Sequence, residues 1–114
     1  MNRYCFALDL KKSPKLISAY VEAHKKVWPE VEAGFKATGI ISLELYLVEN
    51  RLFMIMDTSK VFSIKKKQSF DMNNQKIQQW EDEMERYQKL LPNTLKGTKW
   101  RLMNKIYKYS TPVS

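Results

Sequence analysis

The feature that most narrows the fold is a pair of strand-like runs separated by only two residues. Between 40 and 48 the odd positions Ile41, Leu43, Leu45 and Leu47 are apolar, while Ser42, Glu44 and Tyr46 stand between them. That is the period-two signature of a strand with one buried face. Residues 51–57, Arg-Leu-Phe-Met-Ile-Met-Asp, follow after Glu49-Asn50 alone. Two strands joined by two residues are antiparallel neighbours, so a β-hairpin is expected here. A hairpin this short needs further layers to bury its apolar face.

The rest of the chain offers those layers. Residues 3–10 set Tyr4, Phe6, Leu8 and Leu10 on one side against Cys5, Ala7 and Asp9 on the other, which predicts a first strand. Ser13-Pro14 then supplies an N-cap oxygen and a proline at the first helical position. Ile17, Val21, His24, Trp28, Val31 and Phe35 recur at alternating steps of four and three, and Thr38-Gly39 closes the run. This predicts one long helix, with a kink just after His24 because Pro29 removes a backbone donor and crowds the carbonyl of Lys25. After the hairpin a second helical region is expected over 61–91, broken near Asn73-Asn74 and ended by Pro92-Asn93. Its apolar stripe is Ile77, Trp80, Met84 and Tyr87 or Leu91. Beyond the turn at Gly97, residues 100–107 alternate and predict a last strand.

The order β-α-β-β-α-β is the split βαβ arrangement of an α+β, ferredoxin-like sandwich, with two helices on one face of an antiparallel sheet. One domain over 1–110 and a short polar tail at 111–114 are expected from the 114-residue length. The uncovered sheet face, carrying Glu44 and Tyr46 with apolar neighbours, suits either a wet pocket or a two-fold dimer interface of the dimeric α+β barrel type.

Composition removes several function classes. A formal net charge of +8 raises nucleic-acid binding. The basic residues are scattered, however, and the one dense run, Lys65-Lys66-Lys67, lies in a predicted helix with acidic residues soon after. That reads as a solvated surface, and no nucleic-acid partner is expected. No apolar stretch is long enough for a membrane span, and the first residues hold too short an apolar run for a signal peptide, so a cytoplasmic protein without a membrane partner is expected. One cysteine, Cys5, excludes an intrachain disulfide, and a single Cys with a single His builds no metal cluster without carboxylates. Cys5 reads as a strand residue and not as a reactive thiol.

Within the first helical run, Tyr20, His24 and Trp28 stand at i, i+4 and i+8, drifting by about 40° per step along one side of a helix. His24 is the only histidine. The row offers a proton donor and acceptor flanked by hydrogen-bonding and stacking surfaces, a pattern suited to a sugar. A lone helix histidine is by default a core or surface residue, and Trp28 beside Pro29 has a packing reason to be there, so spacing alone does not decide.

The residues RYCFALDL, Tyr20-x3-His24-x3-Trp28-Pro29-Glu30, the Glu44-Leu45-Tyr46 strand, RLFMIMD and Gln79-Trp80-Glu81 together resemble the L-rhamnose mutarotase family, including its relatives assigned to L-fucose. The similarity runs from Arg3 to Tyr107. It implies a small ferredoxin-like subunit that forms a homodimer, needs no metal or other cofactor, and interconverts the α and β anomers of a deoxy-hexose monosaccharide. It also implies His24 as proton donor, Tyr20 as a sugar-binding residue and Trp80 as the ring platform. Two positions depart from the rhamnose-type pattern. Glu81 replaces a second consecutive tryptophan, as in the fucose-type relatives, and Leu43 replaces a pocket tyrosine.

Ring opening takes the proton from the anomeric hydroxyl while delivering one to the ring oxygen, so a general acid and a general base suffice. Histidine, with an unperturbed pKa of about 6.5, serves as either. Glu44, Glu81, or Tyr46 acting through water are the candidate bases. Trp28 and Trp80 suit the C–H side of a deoxy-hexose, and Tyr46 is divided between pocket and core. The competing class is a ferredoxin-like dimeric binding protein, or a cofactor-dependent relative of the small heme-degrading and quinol-oxidising monooxygenases, which heme colour would reveal.

Overall fold

The computed structural model describes residues 1–112. Strand β1 (Asn2–Leu10) lies at the sheet centre and pairs antiparallel with β3 (Arg51–Thr58) from Asn2↔Thr58 to Asp9↔Arg51. Strand β2 (Ile40–Val48) flanks β3 through the expected hairpin. Glu49 takes a positive φ of 54° in the turn, and Asn50 ties that turn to the centre. Leu10 N–H donates to the Asn50 carbonyl at 2.7 Å, and Asn50 Nδ2 donates back to the Leu10 carbonyl at 3.0 Å. The other edge of β1 is shared by two short strands, β4 (Gln88–Lys89) opposite Asp9–Leu10 and β5 (Arg101–Leu102) opposite Phe6–Ala7.

The helices cover the face that carries Leu8 and Leu10. One core cluster joins Leu10 and Leu52 to Tyr20, Val31, Trp80 and Met84, and a second joins Met56 to Ile40 and Phe62. Gly34 lets the helices close: a Cβ there would come within 2.7 Å of Ile77 Cδ1. None of the described helices is long and apolar enough to cross a membrane.

Four expectations change. The first helical run is two helices, α1 (Pro14–Ala23) and α2 (Pro29–Thr38), separated by a 3-10 turn at His24–Lys26. Pro29 does more than kink the chain. The residue before a proline is pushed out of the helical region, and both Val27 (ψ 141°) and Trp28 (ψ 137°) are extended, so Pro29 becomes the first residue of a new helix. The second helical region is α3 (Ile64–Met72) and α4 (Gln75–Glu85), divided where expected by Asn73-Asn74, with Asn74 Oδ1 accepting from Ile77 N–H at 3.1 Å. It ends at Glu85, before Pro92, because Gln88 and Lys89 turn back to pair with β1.

In β2 the alternation breaks. Two residues of β2 oppose one of β3 between Ile40 and Ser42, so Ile40 enters the core and Ile41 is turned out, 62% exposed. The last strand is shorter than predicted. Only Arg101–Leu102 pairs with β1, extended by Met103 N–H donating to the Cys5 carbonyl at 2.8 Å. Ile106 beyond it is 94% exposed. A period-two pattern does not hold a strand without a layer to bury its apolar side chains. The polar tail falls partly outside the described residues.

Candidate active site

The site is built where side chains at the end of α1 meet those of α4. Ser13 caps α1 by accepting from Leu16 N–H at 3.3 Å, and Pro14 opens the helix. One face of α1 then points Tyr20 into the core, where it is only 3% exposed. His24, half-buried, follows at the C-cap, its ring centroid 4.4 Å from that of Tyr20. On α4 the stripe Ile77, Trp80 and Met84 faces inward, leaving Trp80 6% exposed. Trp80 meets His24 edge-on at 5.4 Å and Trp28 edge-on at 5.3 Å. The helix break therefore does not scatter the row, because Trp80 gathers Tyr20, His24 and Trp28 from across the core. Lys76 lies 5.9 Å over the Trp28 ring.

The hydrogen bonds give these groups distinct roles. His24 Nδ1 lies 2.9 Å from the Tyr20 carbonyl, which can only accept. Nδ1 is therefore the donor in this contact, and Nε2 is the ring nitrogen it does not occupy. Burial pushes the Tyr20 hydroxyl up to about 12, the neighbouring Gln88 amide lowers it in part, and the negative charge of Glu81 adds to the rise. At neutral pH Tyr20 is thus a fully protonated hydrogen-bond donor and not a base. Glu81, half-buried on α4, accepts from Lys99 Nζ at 3.2 Å, while the same ammonium reaches the Glu81 carbonyl at 3.3 Å and Glu85 at 3.7 Å.

Sheet register separates the remaining candidates from this group. Glu44 is opposite Ile55, which is opposite Cys5, and Tyr46 is opposite Phe53, which is opposite Ala7. Directly paired residues share a sheet face. Cys5 and Ala7 lie on the face away from Leu8 and Leu10, so Glu44 and Tyr46 project from the uncovered side, where Tyr46 is 52% exposed against Phe53. Leu43 packs on the helix side in the second cluster, against Ile40, Met56 and Phe62. Gln88, Tyr87, Lys99 and Trp100 also border the site. Of these only Tyr87 had a sequence signal, its place on the α4 stripe.

The family model described as L-rhamnose mutarotase matches residues 3–109. The chain belongs to the L-rhamnose mutarotase family. This is a family of isomerases, and the match spans every element that builds the site. An L-fucose mutarotase of Xanthomonas campestris pv. campestris is 38% identical over a 116-residue alignment covering 100% of this chain and 93% of the relative. Among solved structures, the L-rhamnose mutarotase of Formosa agariphila superposes with a TM-score of 0.71 at 21% identity, covering 96% of this chain and 100% of that one. A dimeric ferredoxin-like protein from an uncultured marine organism superposes at 0.55 with 11% identity, covering 95% and 91%. The ferredoxin-like fold expected from element order is thus the fold of this mutarotase-family chain, and membership decides against the monooxygenase reading.

Proposed function

We propose that this chain interconverts the α and β anomers of a 6-deoxy-hexose, with L-fucose the first substrate to test and L-rhamnose the second, and that His24 transfers the proton. The observation that carries the reading is the His24 Nδ1–H bond to the Tyr20 carbonyl. It fixes one tautomer and ring orientation and leaves Nε2 free for the sugar, beside a buried, neutral tyrosine.

As acid, His24 gives its Nε2 proton to the ring oxygen while the C1–O5 bond breaks and that electron pair moves to O5. The base removes the anomeric O–H proton, and the electrons left on that oxygen form the aldehyde. Rotation about C1–C2 presents the other aldehyde face, and closure reverses both transfers. Glu81 is the base in this scheme. It shares the helix side of the sheet with His24, whereas the sheet itself lies between His24 and both Glu44 and Tyr46. Lys99 holds the Glu81 carboxylate in place. Tyr20 donates to a sugar hydroxyl, and Trp80 with Trp28 faces the methyl and C–H edge of the ring.

A homodimer joined through the uncovered sheet face completes the proposal. That face carries Ala7, Ile55, Phe53 and Tyr46 between two cross-strand ion pairs, Arg3–Asp57 at 2.8 Å and Arg51–Asp9 at 2.7 Å. An apolar centre with self-complementary charges at its ends suits an isologous contact. Saturation-exchange NMR on the anomeric protons tests the activity. Faster exchange in L-fucose or L-rhamnose with micromolar protein is expected, and unchanged exchange in both sugars would refute the reading.

A further inference from the structure

We propose that Gln88 is a hydroxyl-recognition residue of this site, with its Oε1 accepting a hydrogen bond from one secondary hydroxyl of the pyranose. The inference rests on the mutarotase reading and adds a specificity element to it. Gln88 belongs to a strand of two residues, and its partner across the ladder is Leu10, a member of the cluster that holds Tyr20 and Trp80. That pairing turns the Gln88 side chain toward the helices, where the residue is 9% exposed. Its amide lies close enough to the Tyr20 hydroxyl to act on it, and Tyr20 in turn stacks against His24. The amide is therefore one side chain away from the proposed acid.

Gln88 Oε1 is fully buried and has no hydrogen-bond partner among the described residues. Glutamine is seldom found so deeply buried, and a buried acceptor without a donor destabilises the fold. Leucine or methionine would occupy a similar volume without that cost. A hydroxyl-bearing ligand supplies what the protein itself does not: an O–H donor that the neutral amide accepts while the Tyr20 hydroxyl donates to a neighbouring oxygen. The acceptor lies behind other side chains. In this proposal the sugar reaches it only if a covering side chain moves, and Tyr87, half-buried and edge-on to Tyr20 at 6.0 Å, is the nearest such ring. A site built to bond a particular hydroxyl rejects an analogue lacking it far more strongly than an apolar pocket rejects a missing methylene. Gln88 therefore sets which sugar is accepted and does not itself transfer a proton.

The test compares wild type with Gln88→Leu and Gln88→Met, using L-fucose and its monodeoxy analogues as probes. Anomer exchange yields KM and kcat, protein-observed NMR titration gives sugar affinity, and thermal melts follow the fold. Both variants should melt no lower than wild type while KM and the dissociation constant for L-fucose rise roughly tenfold to a hundredfold, as expected for losing one buried hydrogen bond to the sugar. One monodeoxy analogue should be discriminated by wild type and bind all three proteins alike. Variants with wild-type KM and affinity for every sugar would overturn the proposal, as would unchanged discrimination of all analogues; both are the outcomes if Gln88 serves only a buried water. Wild type that binds L-fucose without exchanging its anomers would defeat the mutarotase reading alone, and the titration would still decide Gln88.

Discussion

Replacing Trp80 separates its two proposed jobs, because the core and the sugar respond to different properties of the side chain. An aromatic side chain buries about 150–250 Å², worth roughly 4–6 kcal/mol at about 25 cal/mol per Å². Leucine at the same place recovers about 1.5–3 kcal/mol. Two edge-on pairs, with His24 at 5.4 Å and Trp28 at 5.3 Å, are lost as well. Such pairs contribute about 0.5–1.5 kcal/mol each beyond area. Burial reckoned from an extended chain is an upper bound, so Trp80→Leu should destabilise by about 2–4 kcal/mol, and Trp80→Phe, which keeps a ring, by about 1–2 kcal/mol. In urea, with a slope of about 1–3 kcal/mol per molar, the leucine midpoint falls by about 1–4 M at unchanged slope. Where both variants remain folded, KM for L-fucose should rise in leucine well above phenylalanine, while kcat changes little. A leucine variant within about 0.5 kcal/mol of wild type would refute the packing argument. The expected destabilisation with wild-type KM would refute the ring platform and leave Trp80 a core residue.

Three further outcomes test other parts of the structure. Gly39 takes φ 93°, and a Cβ there would come within 2.8 Å of Ser59 Oγ, so Gly39→Ala should cost at least about 1–2 kcal/mol by chemical denaturation; a neutral result would show that the turn relaxes freely. Asp57 is held below the usual carboxylate range by its hydrogen bonds to Arg3 and then by that charge, against the opposing effect of burial. Its folded pKa lies below its unfolded value of about 3.9, so its contribution is complete above about pH 4 and is lost as pH falls through the depressed value. Asp57→Asn should be less stable than wild type at neutral pH but flatter on the acid limb of urea midpoint against pH, and parallel limbs would contradict the pairing. Phe53→Asp places a charge at the centre of the uncovered sheet face. If wild type forms the proposed homodimer through this face, sedimentation of the variant should show a monomer, whereas a dimer unchanged from wild type would place the interface elsewhere.

Local chemistry made much of this architecture readable from the chain. The hairpin follows from two strand-like runs around Glu49-Asn50, and both long-helix breaks fall at residues that mark them, Pro29 and Asn73-Asn74. The α4 stripe put Ile77, Trp80 and Met84 on one face, and all three are buried. Parity also places Glu44 and Tyr46, since even positions of β2 oppose the apolar odd ones and so face away from the side that holds His24. Pairing choices made across the chain were not readable. The bulge that exchanges Ile40 for Ile41 depends on register against Asp57 and Thr58. A two-residue strand has no periodicity to detect, so Gln88 read as the end of a helix. Lys99 meets Glu81 across eighteen residues of sequence through a loop whose path the sequence does not set.

The break between α1 and α2 has a consequence for the chemistry. A continuous helix would have kept His24 in mid-helix, with its ring constrained by the turns on both sides. Ending α1 at Ala23 leaves His24 at the C-cap, where its ring bonds the Tyr20 carbonyl of the last turn. The same proline that divides the helices starts α2, whose Val31 packs with Trp80 in the core. One residue thus serves both the position of His24, the proposed acid, and the wall behind it.

Proton transfer by His24 is tested by saturation-exchange NMR of L-fucose anomers with wild-type and His24→Ala protein at equal concentration. Positioned proton transfer contributes about 10²- to 10⁴-fold. The variant should keep the wild-type melting profile and oligomeric state while its acceleration falls at least about a hundredfold, toward the uncatalysed rate. Exchange at the wild-type rate by folded His24→Ala would mean that another group transfers the proton.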